Sequence, residues 1–201
     1  MDSHIVSSSL KPLSRSFYER NTAVVAFELI GKILTFRKNG KIFRGRIVET
    51  EAYFGMKDPA SHAFRGPTPR AKVMFGPPGF SYVYFTYGNH HCLNVVTEPE
   101  SVAGAVLIRS LEPISEIETM KKNRSTQEIR NLTNGPGKLA QAFGITREHS
   151  GKDLVSESFC VTEADEKTPL FIAVTPRIGI SKAKPMPYRY YLSASEFVSR
   201  R

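Results

Sequence analysis

The stretch Ser81-Tyr-Val-Tyr-Phe-Thr-Tyr-Gly-Asn-His-His-Cys-Leu-Asn-Val-Val96 decides the fold class. Two runs rich in aromatic and β-branched residues, Ser81 to Tyr87 and His90 to Val96, flank Gly88-Asn89. Glycine at the first loop position suits a two-residue type II′ turn, so the segment reads as an antiparallel hairpin. Working outward, Asn39-Gly40 carries a type I′ signal between strands at Ile33–Arg37 and Lys41–Glu51. Val102–Leu111 is a further strand, and Phe171–Ile180 and Tyr188–Leu192 are late strands around a Lys/Pro-rich loop. The helices are short. Asn21-Thr22 caps a well-buried one running to Gly31, and Asp58-Pro59 and Thr68-Pro69 each read as an N-cap followed by Pro at the first helical position. Ser115-x-x-Glu118 is a capping box opening a helix to about Asn123, and Lys138–Phe143 is a helix stopped by Gly144. Residues 151–167 read as an acidic loop and residues 1–14 as a frayed arm. Strands and helices do not alternate regularly, which predicts an α+β fold with a mostly antiparallel sheet.

At 201 residues and 40% hydrophobic content, the chain is expected to form one domain, 1–201, with its own core. Lys and Arg number 28 against 19 Asp and Glu, a net charge of +9 that favours a polyanionic partner. Cys92 and Cys160 stand far apart and in no C-x-x-C pair, so a disulfide framework is excluded and a reducing compartment fits. No apolar run approaches the roughly 18–20 residues of a membrane helix. The N-terminus lacks the pattern of a secretory signal. The expectation is a soluble, intracellular protein with no membrane partner.

Three features bear on chemistry. Six basic residues and no acid lie from Lys32 to Arg46, and then Glu49 and Glu51 follow two residues apart. On a continuous strand they share one face, opposite Thr50. They are either one half of an edge-strand ion pair or a carboxylate kept ionised in a cationic cleft, able to deprotonate water. In the hairpin, Val83 and Phe85 read as packed strand residues, whereas Tyr87 beside the turn reads as a wedge between stacked bases. Tyr53, Tyr84 and His62 offer stacking faces for one base. The adjacent His90 and His91 point to opposite faces, and no H-x-x-x-H, H-E-x-x-H or deaminase pattern occurs, so no metal and no cofactor is expected. Asn134-Gly135-Pro136-Gly137-Lys138 lacks the spacing of a nucleotide-hydrolysing loop but presents a helix start to a DNA phosphate. Basic clusters at Arg65/Arg70/Lys72, at Lys121/Lys122/Arg124/Arg130 and at Arg177/Lys182/Lys184/Arg189/Arg200/Arg201 favour nucleic acid when taken with the aromatic hairpin. On these features alone, a non-catalytic nucleic-acid-binding module and a metal-dependent nuclease stay open beside a metal-free hydrolase.

Arg-Ile-Val-Glu-Thr-Glu-Ala-Tyr at 46–53, Tyr-Val-Tyr-Phe-Thr-Tyr-Gly at 82–88, Cys-Leu-Asn at 92–94, Val-Leu-Ile-Arg-Ser-Leu-Glu-Pro at 106–113, Asn-Gly-Pro-Gly-Lys-Leu at 134–139 and Arg-Ile-Gly-Ile at 177–180 occur in this order. Together they resemble the alkyladenine (3-methyladenine) DNA glycosylase family, over roughly residues 16–195. The resemblance implies a curved antiparallel sheet with a protruding hairpin, and excision of alkylated or deaminated purines from double-stranded DNA by a monofunctional glycosylase. It implies that Glu51 activates water, with Arg109 and the backbone carbonyl of Ile178 holding it. It also implies a base pocket walled by Tyr53, His62 and Tyr84 with Asn94 at its floor, an intercalating Tyr87, and a DNA contact from Arg124. Asn89-His90-His91 departs from the bulkier, more apolar turn of animal members. A monomer acting intracellularly, with the DNA, is expected.

Overall fold

A computed structural model describes residues 11–86, 88–164 and 169–200. In chain order, α1 (Arg15–Tyr18) and α2 (Thr22–Glu28) precede a hairpin of β1 (Ile33–Lys38) and β2 (Lys41–Phe54). Two 3-10 turns, His62–Arg65 and Lys72–Phe75, lead into β3 (Ser81–Thr86), β4 (His90–Val96) and β5 (Gly104–Pro113). After α3 (Ile117–Arg124) and α4 (Pro136–Phe143) come β6 (Phe159–Thr162), β7 (Ile172–Thr175) and β8 (Arg189–Leu192). The described strands form one curled antiparallel sheet in the order β3-β4-β5-β2-β1-β6, with β8 joining β2 to β7. This is the α+β architecture expected from the irregular alternation of elements.

The local rules account for much of this. Asn39 and Gly40 both take positive φ, 51° and 74°, as a type I′ turn requires. Asn21 caps α2 by accepting from the Ala23 amide, and Gly144 ends α4 in the left-handed conformation. Pro136 begins α4, where its missing N–H costs nothing.

Other elements differ from expectation, each for a visible reason. The 3-10 turns start three residues late: Ser61 caps the first, while Asp58, paired with an arginine, accepts from the Ala60 amide in a turn just ahead of it. Ser115 forms no capping box, since its hydroxyl donates to the Ile42 carbonyl and Glu118 pairs with Lys121. Within the supposed acidic loop, Phe159–Thr162 is a buried strand paired with β1. The strand expected over Phe171–Ile180 is confined to Ile172–Thr175. The helix α2, expected to be well buried, is buried on one face only: Val25, Ala26 and Leu29 are covered, while Val24 and Phe27 are exposed. Phe85 is exposed against His91 rather than packed, while Val83 is in the core. The described pairing of the aromatic hairpin runs out to Thr86 opposite His90. Tyr87 and residues 1–10, most of the expected arm, lie outside the described residues.

The sheet separates two environments. On one face, α2 and α4 pack against β2, β4 and β5, and Leu29, Leu34, Ile47, Leu93, Ile108, Leu139 and Phe143 form the main core. On the other, Ala63 and Met74 from the 3-10 turns cover Tyr82, Val96 and Ala105. Thr50 marks the division, donating to the Ala26 carbonyl of α2 while Glu49 and Glu51 point the opposite way. No described helix is long and apolar enough to cross a membrane.

Candidate active site

The second face holds a cavity of about 530 Å³. Its lining includes Tyr53, His62, Tyr82, Tyr84, Cys92, Asn94, Arg109, Pro136 and Ile178. Strand alternation explains why: Tyr84 and Cys92 are cross-strand partners, as are Tyr82 and Asn94, so all four face one side. The His62 ring meets the edge of Tyr84 at 4.5 Å and its Nδ1 lies 2.9 Å from the Tyr82 hydroxyl. His62 is open to solvent on its outer side, yet the crowding of its ring and the nearby Arg70 cation pull its pKa down toward about 4. It therefore faces the cavity as a neutral imidazole at pH 7. Arg70 lies over the Tyr84 ring, 4.8 Å from its centroid. Asn94 is buried, its Nδ2 donating to the carbonyls of Tyr82 at 3.0 Å and Cys92 at 3.4 Å, which leaves its Oδ1 to a ligand.

Glu49 and Glu51 are both fully buried. An edge-strand pair would be wetter, but β2 is flanked by β1 and β5 and is a central strand. The pairing of β2 with β5 shifts around Glu49, so that Val48 and Arg109 each drop out of the ladder. Such a bulge re-aims side chains. Here it puts Arg109 and Ser110, neighbours in sequence, on the same carboxylate: Arg109 Nε donates to Glu49 at 3.1 Å and the Ser110 hydroxyl at 2.9 Å. Arg109 Nη1 then reaches Glu51 at 3.2 Å. Burial alone lowers the Arg109 pKa, but Glu51 and Glu49 more than reverse this and hold it above the usual value.

Glu51 does not itself border the cavity. Its Oε2 accepts from the Tyr53 hydroxyl at 2.7 Å as well as from Arg109, and its Oε1 accepts from the Ile178 amide at 2.7 Å. The Ile178 carbonyl, expected to hold the water, is a separate group from the amide that meets Glu51. Burial and the Glu51 carboxylate together push the Tyr53 phenol far up, so it stays protonated and donating.

Two members of the C-terminal basic cluster are buried, while Lys182, Lys184 and Arg200 are exposed. Arg177 is buried, with Nη1 and Nη2 on Asp58 at 2.5 and 2.9 Å and Nη1 also on the Ala52 carbonyl. Its guanidinium lies 4.6 Å from the Tyr53 ring centroid. Arg189 is buried on Glu49 at 2.7 Å. Sequence reasoning passed over Asp58 as a site-building residue, and its cap-like Asp-Pro pattern carried no signal of this role. Arg124 stands apart from the cavity at the end of α3, bonded to Gln141 of α4. Among the described residues no group of three His, Cys, Asp or Glu side chains is placed to hold a metal.

This combination, a carboxylate buried behind an aromatic cavity on a basic α+β scaffold, defines a class that the comparisons specify. Residues 16–196 match the family model described as methylpurine-DNA glycosylase, and the chain belongs to that family. A protein of Prosthecochloris aestuarii named "Putative 3-methyladenine DNA glycosylase" is 50% identical over 187 residues, 92% of this chain and 90% of its own. Proteins of the same name from Koribacter versatilis (45% over 196 residues, 96% and 95% of the two chains) and Rhodopseudomonas palustris (50% over 188 residues, 94% and 88%) are similar over comparable spans.

Proposed function

We propose that this DNA glycosylase flips an alkylated or deaminated purine out of duplex DNA and hydrolyses its N-glycosidic bond, leaving an abasic site. The observation that carries the reading is the bond between Tyr53 and Glu51, which joins a stacking wall of the cavity to a buried carboxylate. A base inside the duplex cannot reach such a cavity, so it must leave the stack. Tyr84, His62 and Tyr53 then sandwich it, and the neutral His62 adds no charge against a cationic methylated purine. Tyr87 fills the gap in the duplex, and Arg124 contacts the backbone.

The chemistry follows from Glu51. Water attacks the sugar carbon, its proton passes to the Glu51 carboxylate, and the breaking C–N bond leaves its electron pair on the purine. Arg109 and Ile178 fix the carboxylate, and entry of the nucleotide exchanges one of these donors for the water. The same negative charge stabilises the oxocarbenium-like sugar as it forms. A methylated cationic purine departs without further help, whereas hypoxanthine must gain a proton. Asn94 disfavours normal guanine by clashing sterically with its exocyclic amine. We read the enzyme as monofunctional, monomeric and metal-free.

The test is a duplex carrying one hypoxanthine or one methylated purine, with released free base measured under single-turnover conditions. Glu51→Gln should retain affinity for the duplex and slow release by about 10²- to 10⁴-fold, the usual contribution of a general base. Wild-type activity should persist in EDTA. A Glu51→Gln protein that excises at the wild-type rate would falsify the assignment. A wild-type protein that binds the duplex but releases no base would make the protein a binding module.

A further inference from the structure

Glu49 is as fully buried as Glu51 and has no place in the reaction just described, yet it collects the densest set of donors in the described structure. Its Oε1 accepts from Arg109 Nε at 3.1 Å, Arg189 Nε at 2.7 Å and the Ser199 hydroxyl at 2.9 Å. Its Oε2 accepts from the Ser110 hydroxyl at 2.9 Å and the Ser199 amide at 2.7 Å. Ser199 also accepts from Arg109 Nη2 at 3.3 Å, and Arg189 Nη2 donates to the Arg200 carbonyl. The segment carrying these groups is docked as well, with Val198 buried and the Glu196 carbonyl accepting from Arg130 at 3.0 Å.

We propose that Glu49 and Ser199 form a positioning latch, through which residues 196–200 hold Arg109 in a single-point contact with Glu51. A guanidinium grips a carboxylate most tightly with two parallel N–H groups. Here Nε is taken by Glu49 and Nη2 by Ser199, so that only Nη1 remains for Glu51. Without the latch, Arg109 is free to close on Glu51 with two arms. A carboxylate gripped in this way is a weaker base and is less open to water. Glu49 and Ser199 act through Arg109 and do not touch substrate; the inference rests on the reading of Glu51 as the base.

The charged and titratable groups around Glu51 are Tyr53 on its own strand, Arg109 and, across it, Glu49, together with Cys92 on β4 and Arg177 on the loop after β7. Of these only the grip of Arg109 changes in a latch variant. Ser199→Ala and a chain ending at Val198 should therefore bind a lesion duplex in proportion to the charge they keep. Base release should slow, by up to about 10²-fold, the cost of a roughly 1 Å misplacement near a reacting group. Glu49→Gln should show the same signature more strongly if it folds; if it does not, the Ser199 variants decide. Ser199→Thr, which keeps the hydroxyl that accepts from Arg109 Nη2, should restore the rate.

A structural role alone would lower the melting temperature and leave the rate per folded molecule in place. That result in both Ser199 variants overturns the latch. Glu51→Gln is run alongside. If it is inactive while the Ser199 variants match wild type, only the latch is wrong. If it excises normally, the assignment of Glu51 is wrong and the latch falls with it.

Discussion

Replacing Asp58 by Ala removes the only carboxylate, among the described residues, that hydrogen-bonds Arg177. Asp58 is 4% exposed and Arg177 is 5% exposed, so the stranded guanidinium has little water to turn to. Breaking a buried pair by removing one partner costs about 3–5 kcal/mol. For a chain of this size each kcal/mol lowers the melting temperature by about 2–4 °C, so a fall of roughly 6–20 °C is expected. The site should suffer as well. Arg177 is held by Asp58, by the Ala52 carbonyl and over the Tyr53 ring, and the next residue supplies the amide on Glu51. Base release per folded molecule should therefore drop below wild type. Urea unfolding and single-turnover excision measure the two effects separately. The double variant Asp58→Leu/Arg177→Met restores an apolar filling of similar size and should recover much of the stability, as buried pairs replaced by hydrophobic residues do. It should not recover the rate, because nothing then ties Ile178 to Tyr53. A double variant that regains full excision would show the pair to be a packing element only, and a stability loss below about 1 kcal/mol in Asp58→Ala, a value typical of exposed pairs, would refute its burial.

Two further outcomes are expected. Burial pushes the Glu49 carboxyl up, but Arg109, the Ser199 amide and Arg189 outweigh it, so it titrates below the ordinary glutamate value of 4.5. A depressed carboxyl contributes stability above its unfolded value and loses it as pH falls through the folded one, so the melting temperature should drop below about pH 4.5, more steeply in wild type than in Glu49→Gln; equal slopes would remove Glu49 from the acid transition. Duplex affinity should fall with salt at a logarithmic slope of about −0.9 per phosphate contact, and an affinity that stays flat up to physiological salt would remove DNA as the ligand.

The fold was legible wherever a local rule decided it. Asn39-Gly40 has one comfortable conformation between two β-runs, and the structure adopts it. Glycine ending α4 and proline opening it are similar one-residue decisions. The failures are places where a distant partner overrules the local signal. Ser115 and Glu118 match a capping box, yet Ile42 and Lys121 claim their side chains. Asp58 matches an N-cap, yet Arg177, more than a hundred residues away, claims it. Of the pocket, Tyr53, His62 and Tyr84 were legible as stacking faces and Asn94 only through the family resemblance, whereas Tyr82, which alternation puts on the face of Tyr84, was passed over. The meeting of Glu49, Glu51 and Arg109 depended on a bulge, which no spacing rule reveals because it lies in the register between two strands.

The same long-range pairing changes what the net charge of +9 means. Arg109, Arg177 and Arg189 are buried on Glu49, Glu51 and Asp58, three cations against three anions. The cluster is neutral as a whole, so the entire positive excess falls on the rest of the chain, where it can attract phosphate. The two populations also answer differently to solvent. Exposed charges separated by more than about 10 Å are screened at 0.1 M salt, while buried pairs are screened far less. Salt can thus weaken the hold on DNA without loosening the grip of Arg109 on Glu51. A DNA glycosylase gains from this division: the salt-sensitive attraction is set on the surface, apart from the buried pairs behind the cavity.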